Sequence, residues 1–337
     1  MKADVSQLEQ GQIISQPETL PGCVQLARIR NTRNNTSAGN KKLVVIKKYF
    51  ISDITESEDD DDIDVTSHIQ HEVASMRQFD HPNIVKCLTS LVYSGQIWVV
   101  TPLAMFGSVR HLLEHESFRQ GLPELVICLI LRDVCHGLEY LHSQGVVHRS
   151  VRSSHILVND NAAVLSGLRY STGLQATGEG KPNLYSYPLH GVAHNLSWLA
   201  PEILQQNLLG YNEASDLYSL AVTMCEMANG VVPFSDMQPT LMMVEKLHGA
   251  SATVLAQDNF SSHFHQLVAA CCSIEQHQRP TARDLLGHPC IKQLKKTNTT
   301  IGTLLSSHME IQFTPADEDS LKEDTKQETL SVSAWKF

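Results

Sequence analysis

The side chains of this sequence whose types and spacing could do chemistry lie in one run, from Val146 to Arg169. It reads VVHRSVRSSHILVNDNAAVLSGLR, and its polar cluster from His148 to His155 offers imidazoles, guanidiniums and hydroxyls but no carboxylate. A guanidinium can bind phosphate oxygens bidentately, so such cations suit the phosphates of a ligand. Metal-assisted phosphoryl transfer needs more, because Mg²⁺ prefers carboxylate oxygens and water. The run therefore favours phosphate binding without phosphoryl transfer.

The same run has the spacing of the protein kinase catalytic loop, in which H-R-D-x-x-x-x-N precedes a short strand and D-F-G. In a kinase the first Asp accepts the proton of the substrate hydroxyl, while the Asn and the second Asp hold Mg²⁺. Here Ser150 stands in place of the base, His155 in place of the Asn and Gly167 in place of the second Asp. We therefore predict no catalytic residue and no metal ligand, and we treat these three as degenerate positions of a protein that is not an enzyme.

A fold that positions such a loop needs a large core, which 337 residues with 42% hydrophobic composition can supply. We predict an α+β, bilobal protein-kinase-like fold with a small β-rich N-lobe and a larger helical C-lobe. The kinase-like domain is placed at residues 17–294, with the N-lobe to about 103 and the C-lobe from about 107. Residues 1–16 form an N-terminal segment without a clear pattern, and residues 295–337 form a largely disordered tail.

Strand patterns fill the predicted N-lobe. Residues 17–32 read as two short strands joined at a turn, in the place of a kinase glycine-rich loop. Only Gly22 of those glycines is present, so the loop should hold a nucleotide less tightly. The next strand ends in VVIK, which matches the kinase V-A-I-K and selects Lys47 rather than Lys48 as the phosphate-pairing lysine. A surface lysine at the end of an edge strand is the alternative for Lys47.

A helix should carry the partner of this lysine. Ile69, Val73 and Met76 recur at helical spacing after the third predicted strand. Glu72 falls on this helix, where a kinase places the glutamate that pairs with its lysine. We therefore predict an ion pair between Lys47 and Glu72, with a solvent-facing glutamate as the alternative.

A hinge-like segment follows two alternating apolar runs, KCLTSLVY and QIWVVTPL, which Ser94-Gly95 joins as a predicted hairpin. In this segment Thr101 would lie at the back of a nucleotide pocket. The backbone of Pro102 and Ala104 could bind the edge of an adenine, because neither contact needs a side chain. This part of a cofactor site is therefore predicted to be present.

The predicted C-lobe keeps the structural residues of a kinase. Apolar residues cover two faces of 124–143, which indicates a buried helix leading to the loop. WLAPE contains the kinase A-P-E, and Arg279 is expected to form a salt bridge with its Glu202. Asp216 is expected to be buried and to accept hydrogen bonds from the loop backbone.

Composition narrows the class of protein. The first residues are polar, and no apolar run approaches the roughly 20 residues that span a bilayer, so we expect a soluble cytoplasmic protein, with the nucleus left open. A net charge of −10 argues against nucleic acid and favours protein partners. The eight cysteines lack metal-site spacing and are predicted to be reduced core thiols. The acidic block 53–64 is predicted to be a solvated loop.

The chain ends in Ser333-Ala334-Trp335-Lys336-Phe337, after an acidic stretch with few aromatics. Two large aromatics at the end of a polar tail are typical of a short linear anchor for a partner's pocket. We predict that Trp335 and Phe337 bind a partner. The alternative is a tail that folds back on its own domain.

Six stretches of the sequence, HPNIV, VVHRSVRSSHILV, LSGLR, WLAPEILQQNLLGY, EKLHG and the terminal WKF, closely resemble the sterile-twenty-related kinase adaptor (STRAD) pseudokinases. The resemblance covers residues 17–294 and the last three. It implies an inactive kinase fold that binds and allosterically activates a serine/threonine kinase of the liver kinase B type. It also implies a helical-repeat scaffold protein of the calcium-binding-protein-39 type as a third member. That family docks the scaffold with a C-terminal W-E-F, from which Lys336 departs.

Three hypotheses compete on these residues: an allosteric adaptor pseudokinase, a nucleotide-binding scaffold without an activating role, and a weakly active atypical serine/threonine kinase. The third is disfavoured because Ser150 has no useful basicity near neutral pH. The substitutions also predict that ATP binds without a required Mg²⁺. Arg152, His155 and Arg169 would bring positive charge to the phosphates that a metal otherwise neutralises.

Overall fold

The computed structural model describes seven stretches of the chain: residues 8–16, 22–30, 42–50, 65–174, 183–206, 210–305 and 314–315. Two features singled out in the sequence, the acidic block 53–64 and the terminal pair Trp335 and Phe337, lie outside the described residues. The chain divides into two compact units, each with its own elements.

The first unit comprises the residues up to Asp80, Val85–Leu103 and the residues from Ile311. Its strands are β1 (Leu8–Ser15), β2 (Gly22–Ile29), β3 (Leu43–Phe50), β4 (Thr89–Tyr93) and β5 (Gln96–Pro102), and its helix is α1 (Val65–Gln78). The strands form one antiparallel sheet in the order β1-β2-β3-β5-β4. β1 and β4 are therefore its two edge strands.

Alternation along β3 sorts its side chains between the two faces of this sheet. Val44 and Ile46 are fully buried and pack with Trp98 and Val100 of β5 on one face. Successive side chains of a strand point to opposite faces, so Lys47 lies on the other face from this core. The sheet thereby separates Lys47 from the side chains that form the core of the unit.

One strand of the sheet lies where the sequence predicted no element. β1 falls within residues 1–16, which were assigned to a patternless N-terminal segment, and it pairs with β2. Within residues 17–32, the described part of the chain contains β2 alone rather than two strands. Only three of the eight residues of β1, LEQGQIIS, have apolar side chains, and they do not alternate, so the strand lacks the alternating apolar signal.

The second unit comprises His81–Ile84 and Ala104–Glu310 and is mainly helical. Its helices are α2 (Val109–Glu114), α3 (Glu124–Ser143), α4 (Leu189–Asn195), α5 (Pro201–Leu204), α6 (Ala214–Asn229), α7 (Pro239–Leu247), α8 (Ser262–Cys271), α9 (Ala282–Leu286), α10 (Pro289–Lys292) and α11 (Ile301–Leu305). Two small sheets pair β6 (Val146–Val147) with β9 (Thr172–Gly173) and β7 (Ile156–Val158) with β8 (Ala163–Leu165). The predicted α+β class, with a β-rich part and a helical part, is confirmed.

α3 lies at the centre of the second unit and has the bounds 124–143 predicted from its apolar pattern. Six successive residues, 126–131, are all buried, which requires cover on more than one side of the helix. That cover comes from α6, α9, α10, α11 and β8. Two residues separate the end of α3 from β6, so the helix fixes where the run that begins at Val146 starts.

The C-terminal part of this unit corrects the predicted tail. α11 lies within residues 295–337, yet Ile301 and Leu305 are buried and the helix packs on α3. The amide of Gly302 donates to the carbonyl of Asp160 at 2.7 Å, and a Cβ at position 302 would lie only 2.8 Å from the Asp160 Cα. The prediction of disorder was wrong for residues 301–305, because one helical turn is too short to show a periodic signal.

The eight cysteines all lie among the described residues and are buried and free, as predicted for core thiols. Burial raises the pKa of Cys135 to about 12, which keeps this thiol protonated near neutral pH. Within the described ranges, no helix has both the length and the apolar character needed to cross a membrane.

Replacing Leu305 by Ala should lower the free energy of unfolding by about 2–4 kcal/mol, because truncating a buried leucine leaves a cavity. Urea denaturation followed by circular dichroism measures the change. Thr303→Ser, at an exposed position of the same helix, is the control and should cost less than about 0.5 kcal/mol. Equal stability of the two variants would contradict the packing of α11 on the unit.

Candidate functional site

A buried carboxylate on α6 holds the loop from His148 to His155. Asp216 is fully buried, and its Oδ2 and Oδ1 accept hydrogen bonds from the amides of His148 and Arg149, both at 2.8 Å. Oδ2 also lies 2.9 Å from His142 Nε2. Burial raises the pKa of this carboxyl, but the hydrogen bond and charge of His142, with the hydrogen bond from the His148 amide, outweigh burial and leave the pKa of Asp216 below its ordinary value. Its predicted role as a cap of the loop backbone is confirmed.

His148 is a fully buried internal link. Its Nδ1 accepts a hydrogen bond from the Ser150 amide at 3.2 Å, and an amide can only donate. The ring proton therefore sits on Nε2, which donates to the Ser166 carbonyl at 2.9 Å. In this tautomer His148 ties the loop to the residue that precedes Gly167.

Ser150, at the position of a kinase base, is buried in a chain of hydrogen bonds. Its Oγ donates to Asn195 Oδ1 at 2.9 Å, and Asn195 Nδ2 donates to the Tyr187 hydroxyl at 3.0 Å. That hydroxyl in turn donates to the Arg149 carbonyl at 2.7 Å. Burial raises the pKa of Tyr187, so its hydroxyl stays protonated. The chain is complete with every member neutral, and it contains no group that would remove a proton from an alcohol.

His155 reaches the same chain from the other side. Its Nδ1 lies 2.8 Å from the Ser150 carbonyl and 3.1 Å from Ser150 Oγ. Because a carbonyl can only accept, Nδ1 carries a proton. Nε2 lies 3.4 Å from Arg152 Nη2, which can only donate, so Nε2 is the acceptor and the ring is neutral. A neutral imidazole in this position offers a hard cation no oxygen ligand.

His155 and Gly167 are coupled by shape. Gly167 adopts a left-handed conformation with φ 81°, and a Cβ there would lie 2.4 Å from both Cγ and Nδ1 of His155. The imidazole thus fills the space in which a side chain at 167 would begin. The two departures from the kinase pattern are therefore one packing arrangement.

The two arginines predicted to bind phosphates have different surroundings. Arg152 is buried, its Nη1 donates to the His194 carbonyl at 3.0 Å, and its guanidinium lies 5.7 Å from the Trp198 ring. Arg169 is half-buried and lies two residues after Gly167. Arg152 is therefore part of the packing around the loop, and the role of either arginine toward a nucleotide stays a prediction.

In the first unit, Lys47 Nζ lies 3.5 Å from Glu72 Oε1 on α1, so the predicted ion pair is present. Glu72 is buried, which removes the solvent-facing alternative. Lys48 points to the opposite face, where its Nζ donates to Gln10 Oε1 at 2.8 Å and lies 4.6 Å from the Trp98 ring. The alternation of β3 therefore separates the two neighbouring lysines as expected from the VVIK pattern.

Of the two residues predicted to bind an adenine, Pro102 belongs to the first unit and Ala104 to the second. Pro102 ends β5 opposite Val44, next to the buried Thr101. Ala104 begins the longer stretch of the second unit, and its carbonyl accepts from the Gly107 amide at 3.0 Å. Their contact with a nucleotide stays a prediction.

Arg149 joins the loop to the chain that follows it. It has a left-handed backbone with φ 64°, a conformation that costs an L-residue on the order of 1–3 kcal/mol. Its guanidinium donates to the carbonyls of Tyr170 and Ser186 and to the Tyr211 hydroxyl. These bonds, with the one to Asp216, offset the backbone cost. Beside them lies a cavity of about 300 Å³, lined by Arg149, Thr172 and residues 184–188.

Lys246 on α7 is a site residue that the sequence analysis missed. It is fully buried, and its Nζ donates to the carbonyls of Leu196, Ser197 and Leu199 at 3.3, 2.8 and 2.6 Å. An ammonium has three donors, one for each carbonyl, although burial lowers the pKa of Lys246 to about 7. A charged residue within the apolar run TLMMVEKL was the signal that could have found it.

A second buried pair lies next to this segment. Glu202 and Arg279 form two parallel contacts, Oε1 with Nη1 at 2.7 Å and Oε2 with Nη2 at 2.8 Å. The expected salt bridge between the A-P-E glutamate and the late arginine is therefore present. A bidentate pair of this kind fixes orientation as well as distance.

One cluster of donors in the described part of the chain has the residue types of a metal site: Glu124, Cys128 and Cys290. The two Sγ atoms lie 2.7 Å apart, whereas two thiolates on one tetrahedral zinc, with Zn–S bonds of about 2.3 Å, lie about 3.7 Å apart. Both Glu124 oxygens already accept hydrogen bonds from Ser261 at 2.6 Å. The cluster does not fit a metal ion.

The sequence of this chain is similar to those of known proteins. A model of the protein kinase domain matches residues 31–291 of the chain. The chain is similar to STE20-related kinase adapter protein alpha of Homo sapiens, at 35% identity over 277 residues that cover 69% of this chain and 64% of that protein. It is 35% identical to the alpha protein of Gallus gallus over 277 residues, which cover 69% of this chain and 71% of that protein. It is 32% identical to the beta protein of Homo sapiens over 273 residues, which cover 68% of this chain and 65% of that protein. The chain spans less than two thirds of the length of these human relatives.

Because His155 fills the space at Gly167, Gly167→Asp should lower the free energy of unfolding by about 1–3 kcal/mol. His155→Asn in the same chain should make the loss smaller than the sum of the two single changes, by at least about 1 kcal/mol. Urea denaturation of the two single variants and the double variant measures this coupling.

Gly173→Asp is the matched control, because a Cβ at that exposed glycine meets no atom within 4 Å. It should change stability by less than about 0.5 kcal/mol. Additive effects at positions 155 and 167, or equal costs at 167 and 173, would contradict the coupling.

Proposed function

This chain belongs to the protein kinase family and, within it, to the STE20-related kinase adapter proteins, and on that premise we propose that it is a pseudokinase adaptor. In this role it binds a serine/threonine kinase of the liver kinase B type and activates it allosterically. A helical-repeat scaffold protein of the calcium-binding-protein-39 type completes the complex. The name of the relatives supports the adaptor role, and the loop geometry supports the absence of catalysis.

The observation that carries the proposal is the hydrogen-bonding of Ser150. Its Oγ donates to Asn195 and lies within reach of the protonated Nδ1 of His155, so both sides of the hydroxyl are used within the chain. Phosphoryl transfer needs a positioned base and metal ions that neutralise the developing charge. Neither the Ser150 hydroxyl nor the neutral His155 provides these. A role in binding is therefore favoured over a role in chemistry.

Activation without catalysis requires a stable shape that a partner can recognise. A protein that binds one conformation of its partner preferentially shifts the partner toward it, and no covalent step is needed. The buried contacts of Asp216, Lys246 and Arg279 supply such a shape within the second unit, since each joins distant segments of backbone. The kinase scaffold is thereby kept while its reaction is lost.

A weakly active atypical kinase is the second candidate, and the pair of Lys47 and Glu72 is what favours it. An active kinase needs this pair to hold nucleotide phosphates. The pair serves equally well in a protein that only binds a nucleotide. Phosphate transfer by the purified chain, abolished by Lys47→Met, would support the kinase instead.

Trp335 and Phe337 are proposed to bind the scaffold protein. Each large aromatic can bury about 150–250 Å² in a pocket, and such residues dominate small interfaces. Lys336 between them replaces the acidic residue of the family tripeptide, so the aromatic contacts would carry the affinity.

Adding this chain and the scaffold to the purified partner kinase should raise the kinase's activity, and omitting this chain should remove the increase. Binding of this chain to the kinase without any increase in kinase activity would identify a passive scaffold instead.

Changing Trp335 and Phe337 together to Ala should weaken scaffold binding at least tenfold, because an aromatic hot spot is typically worth about 2 kcal/mol or more. Ser333→Ala is the control in the same tail.

ATP is proposed to bind without a required metal ion. The first unit offers Lys47, held by Glu72, and the backbone of Pro102, while the second offers the backbone of Ala104. The residues that replace the metal ligands, with Arg152 and Arg169 nearby, are neutral or cationic rather than acidic. A guanidinium can meet phosphate oxygens directly where no carboxylate holds Mg²⁺ between them.

ATP in EDTA should raise the melting temperature, and at a hundredfold excess over Kd the stabilisation should approach about 2.7 kcal/mol. Arg169→Ala should weaken this binding more than Arg119→Ala, a change at an exposed position. Stabilisation that appears only with Mg²⁺ would contradict the proposal, and so would equal effects of the two arginine variants.

A further inference from the structure

The outer edge of β1 is one of the two edges of the sheet in the first unit. β1 has β2 on one side, and an edge strand presents backbone N–H and C=O groups that can pair with another chain. Ile13 and Ile14 add apolar surface here, with 61% and 37% of their area exposed. Unless it is covered, an exposed edge of this kind can pair with a strand of another chain.

Two residues from the far end of the chain lie along this edge. The amide of Gln12 donates to the Thr314 carbonyl at 3.0 Å, and the amide of Thr314 donates to Gln12 Oε1 at 2.8 Å. Gly11 and Pro315 face each other as an antiparallel bridge. One residue of β1 therefore binds the C-terminal segment through both its backbone and its side chain.

The residues at this contact suit a strand that ends there. Gly11 has no side chain to obstruct its neighbour, and its carbonyl is fixed by Gln25 Nε2 at 2.7 Å. Pro315 lacks an N–H and cannot continue a ladder of hydrogen bonds, which is how edge strands are commonly terminated. The contact thus covers part of the β1 edge, and Pro315 keeps the segment from offering a full edge to a further strand.

We propose that Thr314-Pro315 is an intramolecular strap, meaning a short segment that pairs with the β1 edge and moors the C-terminal tail to the first unit. The strap occupies the Gln12 amide, a backbone donor that a strand of a second copy would otherwise use. It also fixes the starting point of residues 316–337, which can extend at most roughly 75 Å from Pro315. The use of that reach to present Trp335 and Phe337 rests on the proposed function, whereas the strap itself does not.

A disulfide trap tests the strap in the full chain without any partner. In this antiparallel pairing, residues 11 and 315 form the pair without direct hydrogen bonds, whose Cα atoms lie about 4.5 Å apart and within disulfide range. The variant with Gly11→Cys and Pro315→Cys should form an intramolecular disulfide with oxidised glutathione, which is reduced to two glutathione thiols. The eight native cysteines are buried, whereas position 315 is exposed, so the new thiol at 315 is the one that oxidised glutathione can reach. Peptide mapping by mass spectrometry identifies the link.

The control combines Gly11→Cys with Thr314→Cys, whose side chain points to the opposite face of the pairing. The 11 and 315 pair should close at least tenfold faster than this control. Equal rates, or a disulfide-linked dimer in place of the intramolecular link, would overturn the strap. The dimer would show that a second copy occupies the edge.

Hydrogen exchange in the unmodified chain gives a readout that does not depend on the variants folding. The strap predicts that the Gln12 amide exchanges at least tenfold more slowly than in an unstructured peptide of the same sequence. Exchange at the unstructured rate would refute a stable hydrogen bond to Thr314. Because neither measurement includes the partner kinase or the scaffold, a negative result leaves the adaptor proposal to its own test.

Discussion

The carboxylate of Asp216 is the constraint on which the rest of the site depends. It is fully buried and binds two successive backbone amides of the loop, so the loop must present both of them to one point. Arg149, which donates one of these amides, has a left-handed conformation, and its side chain donates to the carbonyls of Tyr170 and Ser186. A charge held in this way is stabilising only while every donor is in place, since an unpaired buried carboxylate is costly.

The residues of the loop that depart from the kinase pattern are joined by hydrogen bonds and close packing. Ser150, Asn195 and Tyr187 each give and receive hydrogen bonds, and His155 supplies the remaining donor. Gly167 leaves the room that the imidazole needs. A network with every member satisfied can be stable in a low-dielectric interior, whereas a partly satisfied one is costly. The loop is therefore held by a set of mutually dependent contacts.

The parts that could be predicted are those whose signal lies within one element or one motif. The V-A-I-K match selected Lys47 rather than Lys48 as the partner of Glu72, and apolar residues on two faces gave the bounds of α3. Motif spacing placed Asp216 opposite the loop. β1 and α11 could not be found in this way, because a polar edge strand and a single helical turn become stable only through their tertiary partners. The same holds for Lys246, whose role depends on carbonyls some fifty residues away.

The guanidinium of Arg149 and the ammonium of Lys246 are both occupied by groups of their own chain: carbonyls at residues 170, 186 and 196–199, and one tyrosine hydroxyl. The described residues on either side of 175–182 are thus held by basic side chains of the chain itself. A phosphate added to this part of the chain would therefore meet basic side chains whose donors already have acceptors.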